Sequence, residues 1–280
     1  MAELTLRDIH VLSSDHIGGQ RPGELSGLAW DPAAARLYAV SDRGRLFTFA
    51  VGIERGLIAS LVPLTGTLIG GARKPNAEAL WLRRGNEGQP SDSELVLADE
   101  AGIDALIIDR KGQLKGTEPL PQALRDRERW HNTSSGVEAL AWHSRHGLMA
   151  APQRPLRGSP PGVHHVYAGS GQVWAFTAYP GGRSSIKAVE LVDDGRLLVL
   201  EKIKQGDAHL TVLRELRLDR CARDAPCNAP AALLKHSKIL PDDNFEGMTC
   251  MGTDLCLLVT DSGGSSSGRT LLALIQLVRR

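Results

Sequence analysis

The chain has 280 residues, 42% hydrophobic and 23% charged, a balance that suits a globular protein and excludes a disordered one. Lys and Arg number 33 against 32 Asp and Glu, so a net charge of +1 offers nothing to attract nucleic acid or an anionic membrane. No apolar run approaches the ~20 residues that cross a bilayer; Met1-Ala-Glu-Leu also lacks the basic and apolar regions of a secretory signal.

In chain order, Leu4-TLRDIHVL reads as a strand with no unit of its own. Five segments of one pattern follow: a polar or charged residue, a small residue, an aliphatic pair, a turn, then aliphatics ending in an acid or amide. They are Ser26-GLAWDPAAARLYAVS-Asp42, Glu78-ALWLRRGNEGQPSDSELVLA-Asp99, Glu138-ALAWHSRHGLMAAP-Gln153, Lys187-AVELVDDGRLLVL-Glu201 and Glu246-GMTCMGTDLCLLVT-Asp261. Each reads as two strands around a tight turn, such as Asp31-Pro32, Asp194-Gly195 or Gly252-Thr253-Asp254. Further strands follow several units: Arg45-LFTFAV with Leu57-IASLVPL, Asp104-ALIID with Gln113-LKG, and Val173-WAFTAY. Only Pro121-QALRDRERW has helical character, and it is short.

Units that start roughly 50 to 60 residues apart, with frequent Gly and Pro, predict an all-β propeller as a single domain over 1–280. The count is five blades, and a sixth has room only in 155–185, where the pattern is weakest. The last unit, ending in Arg269-TLLALIQLV, is one strand short. The N-terminal strand is expected to complete it and close the ring.

The four cysteines fall as Cys221 with Cys227 and Cys250 with Cys256, two pairs of equal short spacing with no His at metal-ligand distance. Two local disulfides are expected, and with them an oxidising compartment, periplasmic or extracellular, any signal having been removed. Four free thiols in a cytosolic protein are the alternative.

In a propeller, alternate side chains of each innermost strand face the central channel, so equivalent positions of successive blades converge. The start of the pattern supplies Ser26, Glu78, Glu138, Lys187 and Glu246; two residues earlier stand Glu24, Asn76, Gly136, Ser185 and Asn244. The second strands end at Asp42, Asp99, Gln153, Glu201 and Asp261. So many carboxylates cannot all stay ionised without a counter-charge. One supplier is a divalent cation, Ca²⁺ first among them, held by Glu24, Glu78, Glu138, Glu246, Asn76 and Asn244. The other is Lys187 with Arg43, Arg154 or Lys202. Zn²⁺ is disfavoured because Cys and His are missing from the set. Asp42, Asp99 and Asp261 suit a purely structural role at strand ends equally well.

His131, beside Trp130, and the pair His164-His165 sit in stretches bordered by Gly and Pro that read as loops over the channel, where a histidine can serve as acid or base. Ser134-Ser135 and Ser262 through Ser267 read as loop composition rather than as a nucleophile elbow.

Glu24-LSGLAWD with Leu37-YAVSDRG, Asp194-GRLLVLE, and Asp243-NFEGM with Leu257-LVTD together resemble the phytase-like esterase family of β-propellers, in the family's order and over about 20–280. The resemblance implies hydrolysis of ester or phosphoester bonds, often with calcium. The chain departs from the family where Asp261 is followed by Ser262-GGSSSG and where Glu201 is followed by Lys202 rather than Arg. The expected function is a metal-assisted hydrolase acting on a small ester or phosphoester, with Glu138, Glu246, Lys187 and His131 as its catalytic residues: Glu138 or Glu246 as base, Lys187 pairing with an anionic substrate group and His131 as acid or base, in a monomer. The alternative is a ligand- or protein-binding propeller whose acid ring is held by a structural ion or by salt bridges.

Overall fold

The computed structural model describes residues 2–13, 15–70, 74–83, 93–100, 102–131, 136–222, 225–240, 243–263 and 268–279. Their strands form five antiparallel sheets of four, arranged as a five-bladed β-propeller. Blade 1 comprises β2 (Leu25–Asp31), β3 (Arg36–Ser41), β4 (Arg45–Glu54) and β5 (Leu57–Leu68). Blade 2 comprises β6 (Ala77–Arg83), β7 (Glu94–Asp99), β8 (Asp104–Ile108) and β9 (Leu114–Pro119). Blade 3 comprises β10 (Val137–His143), β11 (Gly147–Pro152), β12 (Val163–Ala168) and β13 (Val173–Thr177). The stretch with room for a sixth blade is therefore the outer half of the third. Blade 4 comprises β14 (Arg183–Asp193), β15 (Arg196–Gln205), β16 (Ala208–Arg217) and β17 (Ala231–Leu234).

Blade 5 takes β18 (Asn244–Cys250), β19 (Leu255–Asp261) and β20 (Leu271–Arg279) from the C-terminal end and β1 (Ala2–Val11) from the N-terminal end. β1 runs antiparallel to β20, from Ala2 opposite Arg279 to Val11 opposite Leu271. This pairing covers the edge of β20 and ties the two chain ends together. Leu4, Leu6 and Ile9 of β1 pack on the core of that blade.

Five hydrophobic clusters fill the five spaces between neighbouring blades. The strand β15 shows why its sequence is continuously aliphatic: Leu197 and Val199 face blade 3, while Leu198 and Leu200 face blade 5. Successive side chains of a strand point to opposite faces, so a blade buried on both sides needs both sets apolar. The one helical stretch, α1 (Gln122–Arg125) followed by a 3₁₀ turn at Arg127–Arg129, is anchored where the Trp130 indole N–H donates to Leu124 O at 3.1 Å.

Both disulfides are present. Cys250 and Cys256 are direct cross-strand partners in the β18–β19 hairpin. Cys221–Cys227 closes the loop before β17, and Cys227 N donates to Ala175 O at 2.6 Å, fastening that loop to blade 3.

Candidate functional site

The strands β2, β6, β10, β14 and β18 contact one another in turn and enclose the channel. Each carries a register break at its ring residue. Leu25 opposes Ser41 and Gly27 opposes Val40, leaving Ser26 as the extra residue. The same break isolates Glu78, Glu138, Lys187 and Glu246. A β-bulge inserts one unpaired residue and re-aims its side chain. Repeated five times, it presents five side chains to one axis. The inner strands can lie this close partly through Gly27, where an added Cβ would stand 2.7 Å from Leu80 N.

The bulge also corrects the sequence reading of the second strands. Past it, the residues opposite Glu24, Asn76, Gly136, Ser185 and Asn244 are Asp42, Glu100, Gln153, Lys202 and Asp261. Asp99 and Glu201 belong one step earlier and face away from the axis. Asp99 Oδ1 accepts Asn76 N at 3.1 Å. Glu201 is fully buried between blades, accepting from Arg214 Nη1 at 2.8 Å, Ser184 Oγ at 2.5 Å and Tyr179 N at 2.7 Å. A one-residue slip moves a strand residue to the opposite face, so aligning the units by their last acid chose the wrong residue in two blades. The third blade has Gly136 in this tier because an added Cβ there would stand 2.6 Å from Glu100 Cα of blade 2.

At the centre, Lys187 Nζ lies 2.6 Å from Glu138 Oε2 and 3.0 Å from Glu246 Oε1. Lys202 Nζ donates to Asn244 Oδ1 at 2.6 Å and to Glu246 Oε1 at 3.0 Å. Gln153 Nε2 donates to Glu138 Oε1 at 2.7 Å, and Asn244 Nδ2 to Glu246 Oε1 at 2.7 Å. Burial opposes ionisation of Glu246, but the two ammonium groups beside it hold it down at about 2. Burial pushes Glu138 up, against the pull of Lys187. Glu78 is pushed up to about 9 by burial and by the Glu138 carboxylate, so it stays protonated at neutral pH.

Nearer the entrance, Arg43 grips Glu24 with two hydrogen bonds, at 2.9 and 2.8 Å, and holds its carboxyl below the usual range. Glu24 has φ 53°, a left-handed conformation uncommon for a residue with a side chain, and its carbonyl accepts Asp42 N at 3.1 Å. Arg43 Nε reaches Asp42 only at 3.7 Å, and Asp261 has no ion-pair partner among the described residues. Burial, with Glu24 next, raises Asp42 to about 6; burial, with Glu246 next, raises Asp261 to about 6. Beside Asp261 opens a cavity of about 310 Å³ lined by Arg154, Arg183, Ser184, Lys202, Lys204 and Asn244, among others. Arg154, Arg183 and Lys204 have no ion-pair partner among the described residues. These three were not legible as a group, because they lie on different strands and loops with no shared motif.

The sequence candidates thus converge in part. Glu78, Glu138, Lys187 and Glu246 form one network; Asn244 belongs to it, and Glu24 stands at the entrance. Asn76 donates to Glu100 Oε2 at 2.6 Å. His131 is exposed, its carbonyl accepts Arg157 Nη2 at 3.2 Å, and no described contact joins it to the ring. His164 and His165 lie in strand β12, not in a loop. His164 is buried, its Nε2 2.6 Å from Ser184 Oγ, and burial lowers its pKa to about 4. Ser134, Ser135 and Ser265–Ser267 lie outside the described residues.

The residues expected to hold a divalent cation do not suit one as placed. Glu24 is engaged by Arg43, and Glu138 and Glu246 by two lysines, whose ammonium groups would repel a cation at the centre. Among the described residues, no three His, Cys, Asp or Glu side chains are grouped to hold a metal ion.

A family model described as phytase-like, esterase-like activity of phytase, matches residues 20–263. No curated protein gives a significant match. Among solved structures, the chain is similar to the β-propeller domain of Myceliophteria thermophila Cps50 (Swd1), at 12% identity and TM-score 0.45, covering 89% of this chain and 83% of that one. The WD40 domain of Neurospora crassa Pan2 is 11% identical with TM-score 0.42, covering 99% and 96%. The WD40 repeats of RRP9 are 11% identical with TM-score 0.47, covering 98% and 100%.

Proposed function

The chain belongs to the phytase-like family, described by the esterase-like activity of phytase, and from that membership we propose an ester hydrolase whose acid–base work is done by Asp42 and Asp261 at the channel entrance. The observation that carries the reading is this pair, each raised to about 6, with Asp261 set against Asn244 of a pocket that holds Arg154, Arg183 and Lys204, three cations without an ion-pair partner among the described residues. A catalytic acid or base works best with a pKa near the working pH. Near pH 6 each carboxyl is partly ionised, so one member can hold a proton while the other is ionised.

The ionised carboxylate takes a proton from water as the water oxygen attacks the acyl carbon or the phosphorus. The protonated carboxyl gives its proton to the departing alkoxide. One proton is gained and one given, so the pair keeps its charge. Arg154, Arg183, Lys202 and Lys204 receive the negative charge of a phosphoryl or carboxylate group and of the oxyanion that forms. Glu246, held near 2, is a weak base, and Lys187 between Glu138 and Glu246 is a positioning residue. The two disulfides support an oxidising compartment, periplasmic or extracellular.

The test is turnover of p-nitrophenyl phosphate and p-nitrophenyl acetate, with and without chelator, by the parent protein and Asp261→Asn. Chelator-insensitive turnover lost in the variant supports the pair. Turnover abolished by chelator but kept in Asp261→Asn moves the reading to a metal-assisted hydrolase. No turnover of either ester moves it to the binding propeller.

A further inference from the structure

We propose that the opposite mouth of the channel is a second binding site, built for a carbohydrate ring. The inner strands end there around a cavity of about 600 Å³ to which all five contribute. That volume lies in the range of small-molecule sites, about 300–1,000 Å³. Its enclosure by five strands suits a compact ligand and leaves no extended groove for a peptide. With a rise of about 3.3 Å per residue, the three residues from Glu78 to Trp81 and the four from Glu138 to Trp142 put it roughly 10–13 Å from the acid ring. The two sites therefore do not share a ligand.

Three of the chain's five tryptophans, Trp30, Trp81 and Trp142, line this cavity. Trp81 and Trp142 stack with centroids 5.5 Å apart and planes 13° from parallel. Arg83 Cζ stands 5.8 Å from the centre of the Trp81 ring, and Arg83 is itself held by Glu118 and Glu94. The ladder from Arg83 through Trp81 fixes the ring of Trp142. Trp142 nevertheless remains 40% exposed. One of its faces is taken by Trp81, so the exposed surface is the other face and the ring edge. An indole clamped in place with an open face is a preorganised stacking platform.

The rest of the lining divides in two: leucines such as Leu28, Leu80 and Leu191 form its apolar part, and Arg83, Glu190 and Thr249, whose Oγ1 accepts Trp30 N at 3.1 Å, form its polar part. The indole N–H groups of Trp30, Trp81 and Trp142 donate to no acceptor among the described residues, unlike that of Trp130. A pyranose ring matches this division: its axial C–H face lies on a flat indole while its hydroxyls meet charged and N–H groups at the rim. A quaternary ammonium ion fits less well, because the Arg83 guanidinium already brings a positive charge to the lining of the same cavity.

The experiment titrates the full chain with glucose, galactose, mannose, N-acetylglucosamine and cellobiose, reading tryptophan fluorescence and calorimetry, with tetramethylammonium as the competing probe. At least one sugar is expected to bind, to lose about tenfold or more in affinity in Trp142→Ala, and to regain part of it in Trp142→Phe. Asp261→Asn should bind the same sugar unchanged, which separates this site from the hydrolytic one. Binding of none of the sugars, binding that survives Trp142→Ala, or binding of tetramethylammonium alone overturns the proposal. Because Trp142 is partly exposed, the alanine variant is expected to fold; if it does not, the Phe variant and competition by the parent's sugar decide.

Discussion

Lys187 of blade 4 places its ammonium 2.6 Å from the carboxylate of Glu138 on blade 3, and both side chains are almost completely buried, at 4% and 3% exposure. The contact joins two blades through the axis of the molecule. Removing one partner leaves a buried charge without compensation. Lys187→Met is therefore expected to destabilise the fold by about 3–5 kcal/mol. Adding Glu138→Leu to it should recover part of that loss. Urea unfolding of the two single variants and the double variant measures both effects.

Glu78 predicts a particular dependence of stability on pH. Its carboxyl is raised from 4.5 to about 9, so between those values the native state keeps a proton that the unfolded chain has released. Stability contributed through this group is intact below about 4.5 and falls as pH rises toward 9. Glu78→Gln removes the proton exchange. Its melting temperature should decline less than the parent's between pH 6 and 9, and equal slopes would refute the assignment.

Glu246 behaves in the opposite sense. Held at about 2, it contributes stability that is present above the ordinary glutamate value of 4.5 and is lost as pH falls toward 2. Glu246→Gln should flatten the acid limb of the unfolding curve. It also leaves Lys187 and Lys202 facing a neutral amide, so it should be less stable than the parent at neutral pH.

Asp261→Asn should reduce turnover of a chromogenic ester by about 10²–10⁴-fold with little change in melting temperature, as expected on loss of a general acid–base group. In the parent, kcat/KM should fall on both sides of a maximum near pH 6, where Asp42 and Asp261 titrate. A profile flat from pH 5 to 8 would count against the pair.

Denatured, unreduced protein should show no reactive thiol, because Cys221–Cys227 and Cys250–Cys256 take up all four cysteines. The Cys250–Cys256 loop is short, so its chain-entropy contribution is only about 2 kcal/mol. The double serine variant at these positions should therefore fold and melt a few degrees lower.

Truncation of residues 2–11 removes β1 and exposes the edge of β20. Loss of a cooperative transition and aggregation are expected, since an open edge pairs with other chains. A monomeric truncated protein with parent-like melting would mean that the ring closes without this strand.

The sequence alone carried the five repeats, the strand that closes the ring, the cysteine pairs and the ring set of Ser26, Glu78, Glu138, Lys187 and Glu246. These are properties of short segments, and a pattern repeated five times shows itself in the chain. It was not legible that each ring residue is a bulge, nor that the bulge turns Glu100 and Lys202 toward the axis and Asp99 and Glu201 away from it. A strand's faces differ by one residue, and only its hydrogen-bonded partner fixes that count. The counter-charge was likewise undecided between a metal and lysines, because Lys187, Glu138 and Lys202 with Glu246 meet across different blades. Closure of the propeller brings these groups within 3.0 Å, and in a buried channel separations of that size decide which charges persist.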